Sequence, residues 1–293
     1  MQPAFNSILD IINKIDFKEG RDLAYLLLSP SLLDTKDVDL FQFPQVEDYL
    51  LDKISEMKFD LLNTRRKEHR LGKYMESLLL VYFKHCPDFN LIASLLQLQD
   101  GNSTKGEIDF IVESVKDDTN IHLEVALKYY LQYDADSFIG PNGNDTLREK
   151  IKKLITHQLK LCSNYRQLLP EKLQALELIP KLFLRGSLFY KLQDWMYKKE
   201  HNIYIEGWWC RRSELDLLTD TVNHVVEKRK DWIYPFAMLT SSLNFDEFKK
   251  QAEMKLSLDG SLMIVRSDKK GNVLDRGFLV SEYWPNPSKS HVY

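Results

Sequence analysis

Hydrophobic and polar positions alternate with a period of two in the middle of the chain, over residues 106–130. The first run is Gly106–Val112, and a second run, Ile121–Tyr130, follows a charged break around Lys116 and Asp117. Both runs are rich in β-branched and aromatic residues and are bounded by turn formers, which is typical of two strands joined as a β-hairpin. The pattern therefore predicts an antiparallel hairpin whose turn lies in the charged break.

This alternation gathers charged side chains of both strands on one face. Neighbouring side chains of a strand point to opposite faces, so His122, Glu124 and Lys128 share a face of the second strand. With the predicted turn, Asp109 lies opposite Glu124 or one pair beyond it, and paired residues project to the same side. We expect Asp109, Glu124 and Lys128 to converge on one patch.

The chemistry of this patch is that of a divalent metal site. Two neighbouring carboxylates repel each other unless a positive charge lies between them, and Mg²⁺ and Mn²⁺ prefer oxygen ligands. Asp109 and Glu124 are therefore candidate metal ligands, and Lys128 is a candidate to neutralise charge on a phosphate, as in metal-dependent phosphodiester hydrolysis. The alternative is an ordinary solvated strand face, since all three residue types are common on exposed surfaces.

Helical periodicity precedes the hairpin. A short apolar helix is predicted over Asp22–Leu28, and a longer one over Leu71–His85 is apolar on almost every side. Glu76 lies inside the second helix, where a carboxylate needs a partner. Either a functional role or a contact with the neighbouring Lys73 accounts for it.

A further helix is predicted after the hairpin, from about Leu147 to Leu169, because Thr146–Glu149 has the form of a capping box. Gln158 lies in the middle of its apolar stripe and needs a hydrogen-bond partner, either a core group or the hairpin carboxylates. The residues at its edge and outer side, which form either a solvated face or a contact for a nucleic-acid backbone, are Arg148, Lys150 and His157.

The rest of the chain predicts a mixture of strands and helices. Trp208 and Trp209 are candidates either for stacking on bases or for a place in the core. The predicted elements are a strand around Leu182–Tyr190 with a glycine bend, a strand at Asn202–Trp209, helices at Ser213–Lys228 and Phe245–Met254, and a hairpin of Leu262–Val265 with Gly277–Val280.

Composition narrows the functional classes. The 293 residues are 44% apolar and 28% charged, with a mean hydropathy of −0.36 and no apolar run of membrane-spanning length, so we expect no membrane contact. Three cysteines are too few for a disulfide framework or a zinc cluster, and no signal peptide is recognised, which favours a cytoplasmic setting. Since the net charge is −3, any binding of nucleic acid must come from a local basic patch. The basic run Arg65–Arg70 is either such a phosphate clamp or an ordinary solvated face.

Several segments together identify a family resemblance that covers nearly the whole chain. They are Arg21–Ala24, Arg70–Glu76, Gly106–Phe110, His122–Tyr130, Ile139–Asn142, His157–Leu159 and Arg276–Val280 with Trp284 and Pro285. In these segments the chain resembles a bacterial family catalogued as domain-of-unknown-function family 1853. That family is in turn similar to the PD-(D/E)xK nuclease superfamily.

The resemblance implies an α/β (α+β) fold with a restriction-endonuclease-like core, in which helices flank a mixed central sheet. The chain would form a single domain, with a helical cap over residues 1–64, the nuclease-like core over 65–210, and a C-terminal helical and hairpin extension over 211–293. The predicted order of a helix, a hairpin with a third strand, a helix and a further strand agrees with such a core.

The resemblance also implies roles for individual residues. Asp109 and Glu124 would hold Mg²⁺ or Mn²⁺, the Val125 carbonyl would be a further ligand, and Glu76 would be the helix-borne acid that reaches the metal or a second metal. The superfamily pattern has a lysine two residues after the glutamate, where this chain has Ala126.

Two functions follow from this departure. Lys128, about 7 Å further along the same strand face, or Lys150 from the next helix replaces the missing lysine, and the protein is a metal-dependent nuclease supported by Glu76 and Gln158. Otherwise the site has lost its catalytic power, and the protein is an inactive scaffold that binds nucleic acid or a protein partner.

Overall fold

A computed structural model describes residues 11–33, 38–43, 53–57, 59, 70–198, 200–202, 205–226, 228–234, 236 and 243–285. Of the predicted basic patch Arg65–Arg70, only Arg70 lies within these ranges. No helix in the described ranges has both the length and the apolar character that crossing a membrane requires.

The fold is mixed α/β, with a large mixed sheet flanked by helices. The helices are α1 (Lys18–Leu28), α2 (Leu71–His85), α3 (Leu147–Thr156), α4 (Leu161–Asn164), α5 (Glu171–Gln174), α6 (Leu192–Tyr197) and α7 (Phe245–Asp259). The strands are β1 (Phe89–Asp100), β2 (Ser103–Ser114), β3 (Thr119–Gln132), β4 (Phe138–Ile139), β5 (Leu178–Lys191), β6 (Glu206–Arg211), β7 (Val222–Val226), β8 (Ser261–Ser267) and β9 (Val273–Val280).

The chain divides into two compact units. The first unit contains Met1–Leu127 and Ile151–Arg185, and the second contains Lys128–Lys150 and Gly186–Tyr293. In the first unit the strands follow the order β1, β2, β3 and β5, with antiparallel pairing of β1 with β2 and of β2 with β3. Helix α2 belongs to this unit, and its buried face includes Met75, Leu78 and Leu79.

In the second unit the strands follow the order β5, β6, β9, β8 and β7, and β4 pairs with β3. Strand β6 is parallel to both β5 and β9, whereas β8 is antiparallel to β9 and β7. Trp208 and Trp209 are almost completely buried here. Trp208 packs in a core with Phe248 of α7, so the tryptophan pair belongs to the core and offers no surface for bases.

The central hairpin is confirmed, and its register follows the turn chemistry. Ser114 pairs with Thr119, which centres the turn between Lys116 and Asp117 as the alternation predicts. A glycine bend in β5 is also confirmed. Gly186 has φ +136°, and a Cβ atom there would lie 1.7 Å from the carbonyl oxygen of Lys128, so only glycine fits.

Two of the predicted helices are wrong in extent or type. The helix predicted to reach Leu169 ends at Thr156, because His157 leaves the helical region at φ −123° and ψ −61°. The second half of the helix predicted over Ser213–Lys228 is strand β7, where β-branched valines pair with β8.

Candidate active site

The predicted carboxylate pair lies where strands β2 and β3 separate. Backbone pairing runs from the turn to Phe110 and Leu123 and stops there. The next two residues in this register are Asp109 and Glu124, as the alternation predicts. Instead of a ladder bond, the Val125 N–H donates to Asp109 Oδ2 at 2.9 Å. The end of the ladder thus turns a backbone donor toward the Asp109 carboxylate.

Strand β1 is distorted at the same level. Leu95 falls between the pairs Ser94–Phe110 and Leu96–Ile108, which places it opposite Asp109, and its φ is +52°. A left-handed conformation costs a residue with a branched side chain about 1–2 kcal/mol. Backbone strain of this kind concentrates at functional sites. The strained Leu95 and the end of backbone pairing with β3 both occur beside Asp109, which indicates a functional role for this position.

Helix α2 brings a third carboxylate to the hairpin, which creates an acidic cluster of Glu76, Glu107 and Asp109. Each contributes one carboxylate oxygen, and the three oxygens lie within 4.8 Å of one another. Asp109 is 6% exposed and Glu76 is 9% exposed, so little solvent screens their repulsion.

An ammonium group bridges this acidic cluster. Lys73 Nζ lies 2.7 Å from Glu76 Oε2 and 2.7 Å from Glu107 Oε1. Burial opposes the charge of Lys73, but the hydrogen bonds to Glu107 and Glu76 outweigh it and raise the pKa of Lys73. The cluster therefore holds a cation between two of its three members.

The third member of the acidic cluster is held in its neutral form. Burial, followed by the negative charge of Glu124, raises the pKa of Asp109 to about 8, and Glu76 adds to the effect. The Val125 N–H and Lys73 act in the opposite direction without offsetting it. Asp109 is thus a carboxyl group that ionises near neutral pH when a further positive charge reaches it.

Glu124 is completely buried beside Asp109, and both of its oxygens have partners. Its Oε1 lies 2.9 Å from His122 Nε2, and its Oε2 accepts from Gln158 Nε2 at 2.9 Å. Among the described residues, the buried Nδ1 of His122 has no hydrogen-bond partner. The charge of Glu124, after burial, also raises the pKa of Cys162 to about 12.

The first unit thus brings together Glu76, Asp109, Glu124 and Gln158 of the predicted site, with the backbone of Val125. Gln158 makes this contact from the first position of a 3-10 turn that follows the end of α3. His157 is exposed at this break.

The other three residues that were predicted as cations of the site belong to the second unit; they are Lys128, Arg148 and Lys150. Burial and the charge of Lys150 lower the pKa of Lys128. Arg148 is exposed in the first turn of α3. Their roles, and those of Val125 as a ligand and His157 as a substrate contact, stay predictions.

Three residues of the site were not among the predicted functional residues. Lys73 precedes Glu76 by one helical turn, Glu107 precedes Asp109 on the same strand face, and His122 precedes Glu124 in the same way. The spacing of each pair was readable from the sequence. What the spacing could not provide is the contact between α2 and β2 that joins Lys73 to Glu107.

One comparison with known proteins gives a match. The family model described as "Domain of unknown function (DUF1853)" matches residues 21–280. Since the match covers most of the chain, the protein belongs to this family. No curated protein and no solved structure match the chain.

Proposed function

We propose that this member of the DUF1853 family is a metal-dependent phosphodiesterase that acts on nucleic acid. The observation that carries the proposal is the acidic cluster, in which Glu76 of one helix and Glu107 and Asp109 of one strand each bring a carboxylate oxygen within 4.8 Å of the others, while Lys73 bridges Glu76 and Glu107. Buried carboxylates with a raised pKa beside other ionisable groups are typical of catalytic sites.

The residues fit a divalent metal ion. Carboxylate oxygens are the ligands that Mg²⁺ and Mn²⁺ prefer, and Lys73 already stands between two of them as a positive charge. Glu76, Glu107 and Asp109 would hold the ion, with Glu124 next to them. When bound, such an ion lowers the pKa of water and polarises a phosphoryl oxygen.

The chain's own groups would hold and move the protons of hydrolysis. Water adds its oxygen to phosphorus, the bond to one ester oxygen breaks, and the products are a phosphomonoester and an alcohol. Glu124, fixed by His122 and Gln158, is the proton acceptor that the site offers to the attacking water. The released alkoxide takes its proton from solvent, which balances the reaction.

The second candidate function is an inactive scaffold that binds nucleic acid or a protein partner. The observation that favours it is the pair of ion pairs made by Lys73, because they already neutralise Glu76 and Glu107 without a metal ion. A partly buried ion-pair network of this kind also occurs as a purely structural element.

Cleavage assays separate the two candidates. Single- and double-stranded DNA and RNA are incubated with Mn²⁺ and with the wild type, Glu124→Ala or Glu124→Gln, the latter because it removes the charge and keeps the shape. Glu113→Gln, an exposed change on β2, is the matched control. We expect cleavage by the wild type and the control and its loss in both Glu124 variants. Cleavage that persists in these variants, or its absence in the wild type, refutes the proposal.

A further inference from the structure

Lys73 contacts the acidic cluster, but hydrolysis by carboxylates and a metal ion assigns it no role. Its ammonium bridges Glu76 and Glu107 at 2.7 Å each, and these are two of the three carboxylates that a metal ion would need. An ammonium and a divalent cation repel each other at such short range. Both cannot be bound by the same two oxygens with full strength.

The position of Lys73 allows it to leave these carboxylates. Its side chain is 34% exposed, against 31% for Glu107 and 11% for Glu76, so solvent reaches the lysine side chain. At the preceding Gly72, an added Cβ would meet no described atom within 4 Å apart from its chain neighbours and the backbone of its own helix. Rotation about the bonds of the lysine side chain is enough to carry its charge toward a bound molecule.

We infer that Lys73 is an exchangeable cation that alternates between the acidic cluster and the substrate. Without metal it neutralises Glu76 and Glu107 and competes with Mg²⁺ or Mn²⁺ for them. With metal and substrate present it contacts a non-bridging oxygen of the phosphodiester, where negative charge grows during hydrolysis. This inference rests on the proposed function. It gives Lys73 two effects: competition that weakens metal binding, and a catalytic contact with the substrate.

Two readouts test the exchange, of which the first needs no turnover. Mn²⁺ binding to the protein alone is measured by calorimetry for the wild type, Lys73→Met, Lys73→Gln and Lys73→Arg. Lys105→Met is the matched control. Lys105 lies on the same strand as Glu107 but pairs with Asp100, outside the acidic cluster. We expect the two neutral variants to bind Mn²⁺ about tenfold more tightly, and Lys73→Arg and the control to bind as the wild type does.

The second readout is hydrolysis of bis(4-nitrophenyl) phosphate at saturating Mn²⁺, a small phosphodiester that needs no extended binding surface. We expect the rate to fall about 100-fold in Lys73→Met and Lys73→Gln and to remain unchanged in Lys105→Met. Thermal unfolding shows which variants are folded, and Lys73→Gln, which can still donate to the carboxylates, keeps the test available if Lys73→Met does not fold.

The outcomes distinguish this inference from the proposed function. Suppose that the wild type binds Mn²⁺ and hydrolyses the probe. If either the affinity or the rate is unchanged in the neutral Lys73 variants, the exchange is refuted, whereas the proposed phosphodiesterase activity is supported. If affinity and rate fall together, Lys73 only holds the cluster in shape, and the exchange is again refuted. If the wild type neither binds Mn²⁺ nor hydrolyses a phosphodiester, both are refuted.

Discussion

Replacing Asp109 by asparagine should stabilise the metal-free protein at alkaline pH. Asparagine keeps the shape of the side chain and an oxygen that accepts the Val125 N–H, but it carries no charge. Burial and the charge of Glu124 raise the pKa of Asp109 to about 8 in the folded protein, whereas an aspartate in an unfolded chain ionises at about 3.9. The folded state therefore holds this proton more tightly than the unfolded state does.

The sign and size of the effect follow from that difference. The contribution of Asp109 to stability is fully present below about pH 4 and is lost as the pH rises to about 8. Each pH unit in this range costs at most about 1.4 kcal/mol, so the wild type loses at most about 4 kcal/mol between pH 5 and pH 8. Asp109 interacts with its charged neighbours, so its ionisation extends over a wider pH range than that of an isolated group, and we expect about 2–3 kcal/mol.

Urea unfolding with EDTA at pH 5 and pH 8 measures this difference. Asp109→Asn should equal the wild type within about 1 kcal/mol at pH 5 and exceed it by about 2–3 kcal/mol at pH 8. Glu113→Gln removes an exposed carboxylate from the same strand and should follow the wild type at both pH values. Parallel pH profiles of the wild type and Asp109→Asn would show that the carboxyl is not held neutral, and the reasoning would fail.

Three further predictions concern other parts of the structure. Mn²⁺ at a hundredfold excess over its Kd should raise the unfolding free energy of the wild type at pH 8 by about 3 kcal/mol, and equal stabilisation of Asp109→Asn would contradict it. Gly186→Ala should cost more than about 3 kcal/mol in urea unfolding, because its Cβ meets the Lys128 carbonyl, whereas Gly101→Ala, with open space around it, should cost about 1 kcal/mol; equal costs would refute the steric argument. All three cysteines are buried and the pKa of Cys162 is raised to about 12, so a thiol reagent at pH 8 should label them only after unfolding, and rapid labelling of the native protein would be the opposite result.

The hairpin could be predicted because its signals are local. The alternation of residues 106–130 sets the faces of both strands, and the charged turn sets the register that aligns Asp109 with Glu124. The need of Gln158 for a polar partner was also readable, because a glutamine on an apolar stripe must be satisfied. Its partner is Glu124.

What could not be predicted depends on packing between distant parts of the chain. The periodicity of residues 147–169 continues through His157, although the helix does not. The bridge from Lys73 to Glu107 spans 34 residues of sequence and forms only because α2 lies beside β2. The valines of strand β7 favour a strand locally, but the partner strand β8 comes later in the chain and is not visible in the local pattern.

The most direct test of the account is Mn²⁺ binding to the metal-free protein, measured by calorimetry. The account predicts one binding site per chain in the wild type and in Glu113→Gln, and its loss in Asp109→Ala. Absence of binding at millimolar Mn²⁺, or equal affinity in Asp109→Ala, would contradict a metal centre at the acidic cluster.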